Sequence, residues 1–262
     1  MINDHILVTR EGAVARVTLN RPDKHNCVNA AMWRELKTLF EGFDADESLR
    51  CIVLTGAGGK AFSVGADIAE FPQIRSNAAQ AREFGKLAHG AQSAMARCRH
   101  PVIAAVRGLC AGGGLELSTA CDMRYCTESS RFGIPVKKLG LVVAYAEMVP
   151  LLRLVGAANA KEILLEGEVF GAARAKEMGL VNRVLPEAGF DEAIAGIVAS
   201  IVEGAPLVAR WHKKAGAVRS CACHRAGCRC AVRGRWRPGT TRGPGPTQQR
   251  IRSRSCRSLV AV

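Results

Sequence analysis

The sequence predicts an α/β fold, and three observations carry that prediction. Short apolar runs rich in β-branched residues recur along the chain at residues 6–9, 13–19, 51–55, 102–106 and 123–126, each 4–7 residues long. Longer stretches with apolar residues on one helical face separate several of them. Glycine turns stand where strand gives way to helix. Alternation of this kind predicts stacked strand–helix units rather than an all-helical bundle or a sandwich.

Taken in order, residues 6–9 and 13–19 predict two strands around a turn at Glu11-Gly12. Residues 30–44 predict a helix, because Met32, Leu36, Leu39, Phe40 and Phe43 fall on one face. A strand at 51–55 ends at Gly56-Ala57-Gly58-Gly59. Residues 77–97 predict a helix. Pro101 closes whatever precedes it, and residues 102–106 predict a buried strand. Gly112, Gly113 and Gly114 then open a helix. A short strand at 123–126 follows, then helices at 145–154, 157–165, 172–178 and 187–202.

At 262 residues the chain is long enough to bury a sizeable core, and 48% hydrophobic content fits a globular protein. Residues 1–10 are interrupted by Asn3, Asp4 and His5 and lack the apolar stretch of a secretory signal. No run approaches the ~20 apolar residues of a membrane span. These observations set the expectation of a soluble, cytoplasmic protein. The net charge of +14 is unevenly placed. Residues 210–262 hold 14 Lys and Arg with no Asp or Glu, which leaves 23 basic and 23 acidic residues in the rest. The charge excess therefore describes the tail and not the substrate of the body.

Cysteines divide in the same way. Cys27, Cys51, Cys98, Cys110, Cys121 and Cys126 are scattered through the body, several in strand-like runs where Cys acts as a small hydrophobe. They have no metal-ligand spacing and give no reason to expect disulfides. No metal or redox cofactor is expected.

The segment from Pro101 to Asp122, PVIAAVRGLCAGGGLELSTACD, concentrates the chemistry. Its glycines let backbone approach a ligand closely. The helix they open presents unpartnered N–H groups with the positive end of the dipole, suited to a developing oxyanion. Glu116 falls in the first turn of that helix, within reach of whatever those groups hold. A first-turn glutamate is also favoured by the helix dipole alone.

This segment resembles the crotonase family, also called the enoyl-CoA hydratase/isomerase family. Three other stretches agree in order and spacing across roughly residues 5–208. Asn20-Arg21-Pro22 with Asn26 and Asn29-Ala30 resembles the N-terminal motif. KAFSVGADI, from Lys60 to Ile68, resembles the first oxyanion loop. Leu139-Gly140-Leu141, Arg153-Leu154-Val155-Gly156 and Gly179-Leu180-Val181-Asn182 resemble the downstream landmarks.

The resemblance implies a spiral of β-β-α units with a helical C-terminal region, a homotrimer or hexamer, and an acyl-CoA substrate whose coenzyme A is part of the substrate rather than a cofactor. It implies that the backbone N–H groups of Val64 and Gly113 hold the thioester oxygen. Relatives usually carry Ala at the Val64 position, so this chain keeps the donor and narrows the pocket. Lys24, Cys27, Ala66, Asp67 and Ile68 match positions lining the coenzyme A site, and Gly112 and Pro135 match substrate-side positions. Asp67 is equally a helix N-cap, and both roles are compatible.

Glu116 matches one of two hydratase glutamates. The second should follow Phe132-Gly133-Ile134-Pro135, where this chain has Val136. Hydration is easiest with two carboxylates, one for water and one for the α-carbon proton. Isomerisation needs one. The chain thus fits the divergent members better than a standard hydratase. The glycine- and proline-rich turn expected after Leu141 is replaced by Val142-Val143-Ala144-Tyr145-Ala146-Glu147-Met148. Glu147 is a candidate second catalytic group, with a solvated glutamate early in a helix as the competing reading.

Residues 1–208 are read as the acyl-CoA-binding domain and 209–262 as an atypical basic tail, disordered or the product of out-of-frame translation. Trp211-His212-Lys213-Lys214 still resembles the family. Two further readings of the tail stay open: a basic arm for nucleic acid, although a nucleic-acid partner is not the expectation, and a zinc or redox site from Cys221, Cys223, His224, Cys228 and Cys230, whose spacing is not a common zinc pattern. An acyl-CoA binder without catalysis is the remaining alternative.

Overall fold

A computed structural model describes residues 4–219. Strands β1 (Ile6–Glu11) and β2 (Val14–Leu19) form a hairpin whose turn contains Gly12 at φ +57°. The chain then builds repeated units in which consecutive strands go to different sheets. β3 (Cys51–Gly56), β5 (Val102–Val106) and β7 (Met123–Thr127) join the first sheet, while β4 (Ala61–Ser63), β6 (Leu109–Ala111) and β8 (Arg131–Gly133) join the second. β9 (Phe170–Gly171) and β10 (Arg183–Leu185) complete them. The strand orders are β1-β2-β3-β5-β7-β10 and β4-β6-β8-β9. Pairs are parallel except β1/β2 and β8/β9. This is the expected spiral of β-β-α turns.

The long helices start where local chemistry dictates. Asn29 caps α1 (Ala30–Ala45) by accepting from the Met32 N–H, and Asn77 caps α3 (Ala78–Arg97) through the Gln80 N–H. Between them lies α2 (Phe71–Ile74), preceded by a 3₁₀ turn at Ile68–Glu70. The α1 face of Met32, Trp33, Leu36 and Phe40 is buried with Ala88, Ala91 and Met95 of α3. Each large side chain there contributes about 1.5–3 kcal/mol.

The central strands of the first sheet, β3, β5 and β7, bury both faces. Ile52, Leu54, Val102, Ala104 and Val106 face the main core. Cys51, Val53, Ile103, Ala105 and Tyr125 face Phe190, Ile194 and Val198 of α7 (Phe190–Glu203). Alternate residues of each strand go to opposite faces, which explains why the runs read as continuously apolar.

α4 (Gly113–Thr119) follows β6. α5 (Tyr145–Glu166) is broken at Gly156, φ +76°, which divides it as the sequence predicts. α6 (Ala172–Glu177) precedes β10. The expected helix at 187–202 instead begins at Phe190, because Gly189 at φ +76° occupies its N-cap. The short strands β4, β6, β8, β9 and β10, and α2, were not anticipated. At 2–4 residues they are too short to establish a period.

α8 (Pro206–Arg219) runs through the 208/209 boundary proposed from composition. The Lys213 side chain ties it to the body, with Nζ 2.8 Å from Asp122 Oδ2 and donating to the His100 carbonyl at 2.9 Å. The remaining tail, including the Cys221–Cys230 cluster and the out-of-frame and nucleic-acid readings attached to it, lies outside the described residues. Among the described residues no single helix is long and apolar enough to cross a membrane.

Candidate functional site

Pairing of β4 with β6 brings two glycine turns together from sites nearly fifty residues apart in sequence. Gly65 adopts φ +86°, and a Cβ there would lie 2.4 Å from the Gly113 nitrogen. A Cβ on Gly114 would lie 2.1 Å from the Ser63 carbonyl oxygen. No side chain fits at either place, so these glycines do more than turn the chain. Gly113 is the first residue of α4, one of those whose N–H lacks an intrahelical partner.

Val64 N–H donates to the His25 carbonyl at 3.2 Å, so it would have to share or exchange that bond to serve an oxyanion. His25 and Asn26 adopt positive φ, 49° and 55°. The turn they form is held by the buried Asn26 side chain, which donates to the Ala57 and Ala61 carbonyls and accepts from Arg21 N–H.

A cavity of about 120 Å³ lies beneath the two turns. Val64, Ala66, Ile68, Gly112, Gly113, Glu116 and Glu147 all border it, with Val136 on the same wall. Glu116 also borders a second, larger cavity of about 610 Å³ that extends to His212 and Lys213 on α8. The carboxyl of Glu116 therefore stands between two spaces.

Burial and the neighbouring Glu147 carboxylate push the Glu116 carboxyl up to about 8, against a smaller opposing pull from Arg75. Glu116 is consequently protonated at neutral pH. Glu147, 17% exposed, is fixed at both oxygens: Oε2 accepts from Ala144 N–H at 2.9 Å, and Oε1 lies 3.0 Å from His89 Nε2. Glu147 is thus a first-turn capping residue of α5, as the competing reading has it, but one largely shielded from solvent.

Asp67 does cap the 3₁₀ turn through Ala69 N–H at 3.2 Å, and it forms a 2.8 Å ion pair with Arg21 in which both side chains are 9% exposed. Burial alone would raise its carboxyl. Hydrogen bonds from Arg21 and Ala69, with the Arg21 and Lys24 charges, outweigh that and hold it below the usual carboxylate range. Lys24 is half exposed, its Nζ 4.0 Å from Asp67 Oδ2. Arg21 Nη1 also donates to the Cys27 carbonyl at 3.1 Å, and burial pushes the Cys27 thiol up.

Lys24, Cys27 and Asp67 thus form one cluster beside the Val64-Gly65 turn, while Pro135 starts the 3₁₀ turn Pro135–Leu139 that carries Val136. His89, Arg75 and Trp33 were missed from sequence. His89 and Arg75 sit on or beside a helix with no motif around them, and Trp33 borders the small cavity from the buried face of α1. Among the described residues no cluster of His, Cys, Asp and Glu could hold a metal.

Paired sheets wound as a spiral, with two abutting glycine turns over a buried carboxyl, define a crotonase-fold protein. The enoyl-CoA hydratase/isomerase family model matches residues 9–221, and the chain belongs to that family. It is 34% identical to a short-chain-enoyl-CoA hydratase of Clostridium acetobutylicum, over 81% of this chain and 80% of that protein. It is 39% identical to the mevalonyl-coenzyme A hydratase of Beauveria bassiana, over 74% and 75% respectively. A crystal structure of an enoyl-CoA hydratase/carnithine racemase from Magnetospirillum magneticum is similar with TM-score 0.81 and 46% identity, covering 83% of this chain and 81% of that one.

Proposed function

We propose that the protein hydrates a 2-enoyl-CoA thioester through an oxyanion-stabilised enolate, using Glu116 and Glu147 as its two carboxyl groups. One observation carries this reading: Glu147 borders the same small cavity as Glu116, close enough for its charge to raise the Glu116 carboxyl. The pair that Val136 removes from its usual position is thereby supplied from α5.

In this scheme the thioester oxygen sits against the N–H groups of Gly113 and Val64. Loss of one such donor costs about 3 kcal/mol in barrier. Glu147 takes a proton from water, whose oxygen forms the new bond to the β-carbon. Electrons of the double bond shift towards the thioester, placing negative charge on its oxygen. Protonated Glu116 then delivers its proton to the α-carbon, and the proton on Glu147 resets the pair. These steps draw on protein groups alone, without a metal or redox cofactor. Ala66, Ile68 and Gly112 shape the substrate side, and the Lys24–Cys27–Asp67 cluster faces the coenzyme A portion.

Isomerisation of a 3-enoyl-CoA, in which one carboxylate removes a proton and returns it, is the second reading, favoured by Val136 in place of the usual second glutamate. Assays on crotonyl-CoA and a 3-enoyl-CoA separate the two. Hydration that is lost in Glu147→Gln supports the first. Isomerisation without hydration overturns it. A homotrimer or hexamer belongs to the same proposal, supported by the exposed apolar residues Leu139, Val142 and Tyr145 beside the site.

A further inference from the structure

The two cavities at the site share Glu116 but divide its neighbours. Glu147 borders the small inner cavity and His89 borders the large outer one. The 3.0 Å contact between His89 Nε2 and Glu147 Oε1 spans the wall between them. We propose that His89 is the proton port of the carboxylate pair: a positioning residue that aims Glu147 and passes protons between it and the outer chamber.

The geometry supports each part of this. Ala144 N–H and His89 hold Glu147 by different oxygens, so the carboxylate cannot rotate away without breaking one of the two bonds. The imidazole is 30% exposed and borders the larger chamber, so the ring as a whole is in reach of solvent. A histidine ring is suited to the task because it can gain a proton at one nitrogen and release another from the opposite one. Glutamine or asparagine would keep the hydrogen bond and lose the relay.

The charged groups around the ring come from several elements. Glu147 on α5 and Glu116 on α4 face it, and Asp122, Arg153, His212 and Lys213 line the chamber beyond. On its own helix Lys86 is paired with Glu83 at 2.6 Å.

When the proton shared by the carboxyl pair sits on Glu147, its Oε1–H donates to Nε2 of a ring protonated at Nδ1. Ionised Glu116 then removes the α-proton of a bound acyl thioester, and the C–H electron pair passes to the thioester oxygen as the enolate forms. The Glu147 proton moves to Nε2 while the Nδ1 proton leaves to water in the chamber. On return a solvent proton adds to Nδ1, the Nε2 proton passes to Glu147, and the carboxyl pair exchanges protons before Glu116 reforms the C–H bond.

This inference rests on the enolate reading above, and the experiment distinguishes failure of the two. Butyryl-CoA has no double bond to hydrate or move, so exchange of its α-protons in deuterated water, followed by proton NMR, reads abstraction and exchange alone. Wild type exchanges the α-protons and Glu116→Gln sets the comparison for a damaged pair. His89→Ala and His89→Gln, both checked for unchanged thermal unfolding and coenzyme A binding, are expected to exchange about tenfold more slowly or worse.

Free imidazole should restore His89→Ala, whose vacated space opens on the chamber, and leave His89→Gln unrestored. Absence of exchange in wild type overturns the enolate reading and this inference with it. Wild-type exchange in His89→Ala, in His89→Gln, or a His89→Ala deficit that imidazole leaves untouched, overturns the proton port alone. If one variant fails to fold, the other decides by the same criteria.

Discussion

A Cβ on Gly65 would sit 2.4 Å from the backbone nitrogen of Gly113, so the two glycine turns touch without room for a methyl group. This contact fixes the distance between the donors proposed to hold the thioester oxygen. Gly65→Ala must push the turns apart and also place a side chain at φ +86°. The expected result is a loss of kcat of about 100-fold with a smaller change in KM, since the donors act on the transition state. Steady-state kinetics beside a urea melt would check it. Unchanged kcat would show that the contact does not set the site.

Raising the Glu116 carboxyl to about 8 has a cost in stability with a defined pH window. The folded state holds a proton that the unfolded chain releases near 4.5. Stability from this group is therefore fully present below that value and falls as pH rises towards 8. Glu116→Gln should be more stable than wild type at pH 8 by about 1–3 kcal/mol, with the gap closing at pH 4.5. Thermal melts at the two pH values measure it. Activity should be lost in the variant throughout.

The Arg21–Asp67 pair makes the opposite prediction. The Asp67 carboxyl is held below its ordinary value, so its contribution is present above about 4 and is lost as pH falls through the folded value. Arg21→Met leaves a buried carboxylate without its partner and should cost about 3–5 kcal/mol at pH 7. Asp67→Asn should cost less. Guanidinium unfolding midpoints distinguish the two variants.

Lys213 anchors α8 through a side chain that is 9% exposed and bonded to Asp122 and the His100 carbonyl. Lys213→Met should destabilise the protein by about 2–4 kcal/mol, because Asp122 loses its charge partner. The larger cavity has Lys213 and His212 in its wall, so the same variant should also raise KM for acyl-CoA. Wild-type stability in a urea titration would contradict the anchoring role.

Much of the fold was legible from the chain because the long elements have strong local signals. Asn29 and Asn77 cap their helices, and residues 102–106 are apolar throughout. The second sheet was not, since β4, β6 and β8 have three residues each and acquire their identity only by pairing. At the site, Gly113 and Glu116 could be read from one segment. Their meeting with Val64 and Gly65 could be inferred only through family resemblance.

His89 had no sequence signal: nothing within α3 indicates that Glu147, fifty-eight residues later, will reach its ring. The Val136 departure was visible, but its physical consequence was not. The sequence could not decide whether Glu147 pointed to solvent or back towards Glu116. In the structure the Glu147 carboxylate is held by the Ala144 N–H and by His89 rather than left free in solvent.

The central claim is that Glu116 and Glu147 act as a pair, and hydration of crotonyl-CoA by wild type beside Glu147→Gln tests it most directly. The account predicts measurable hydration in wild type and a fall of kcat of about 100-fold or more in the variant, with coenzyme A binding retained. Hydration at the wild-type rate in Glu147→Gln would contradict it, and so would a wild-type protein that binds acyl-CoA and never hydrates it.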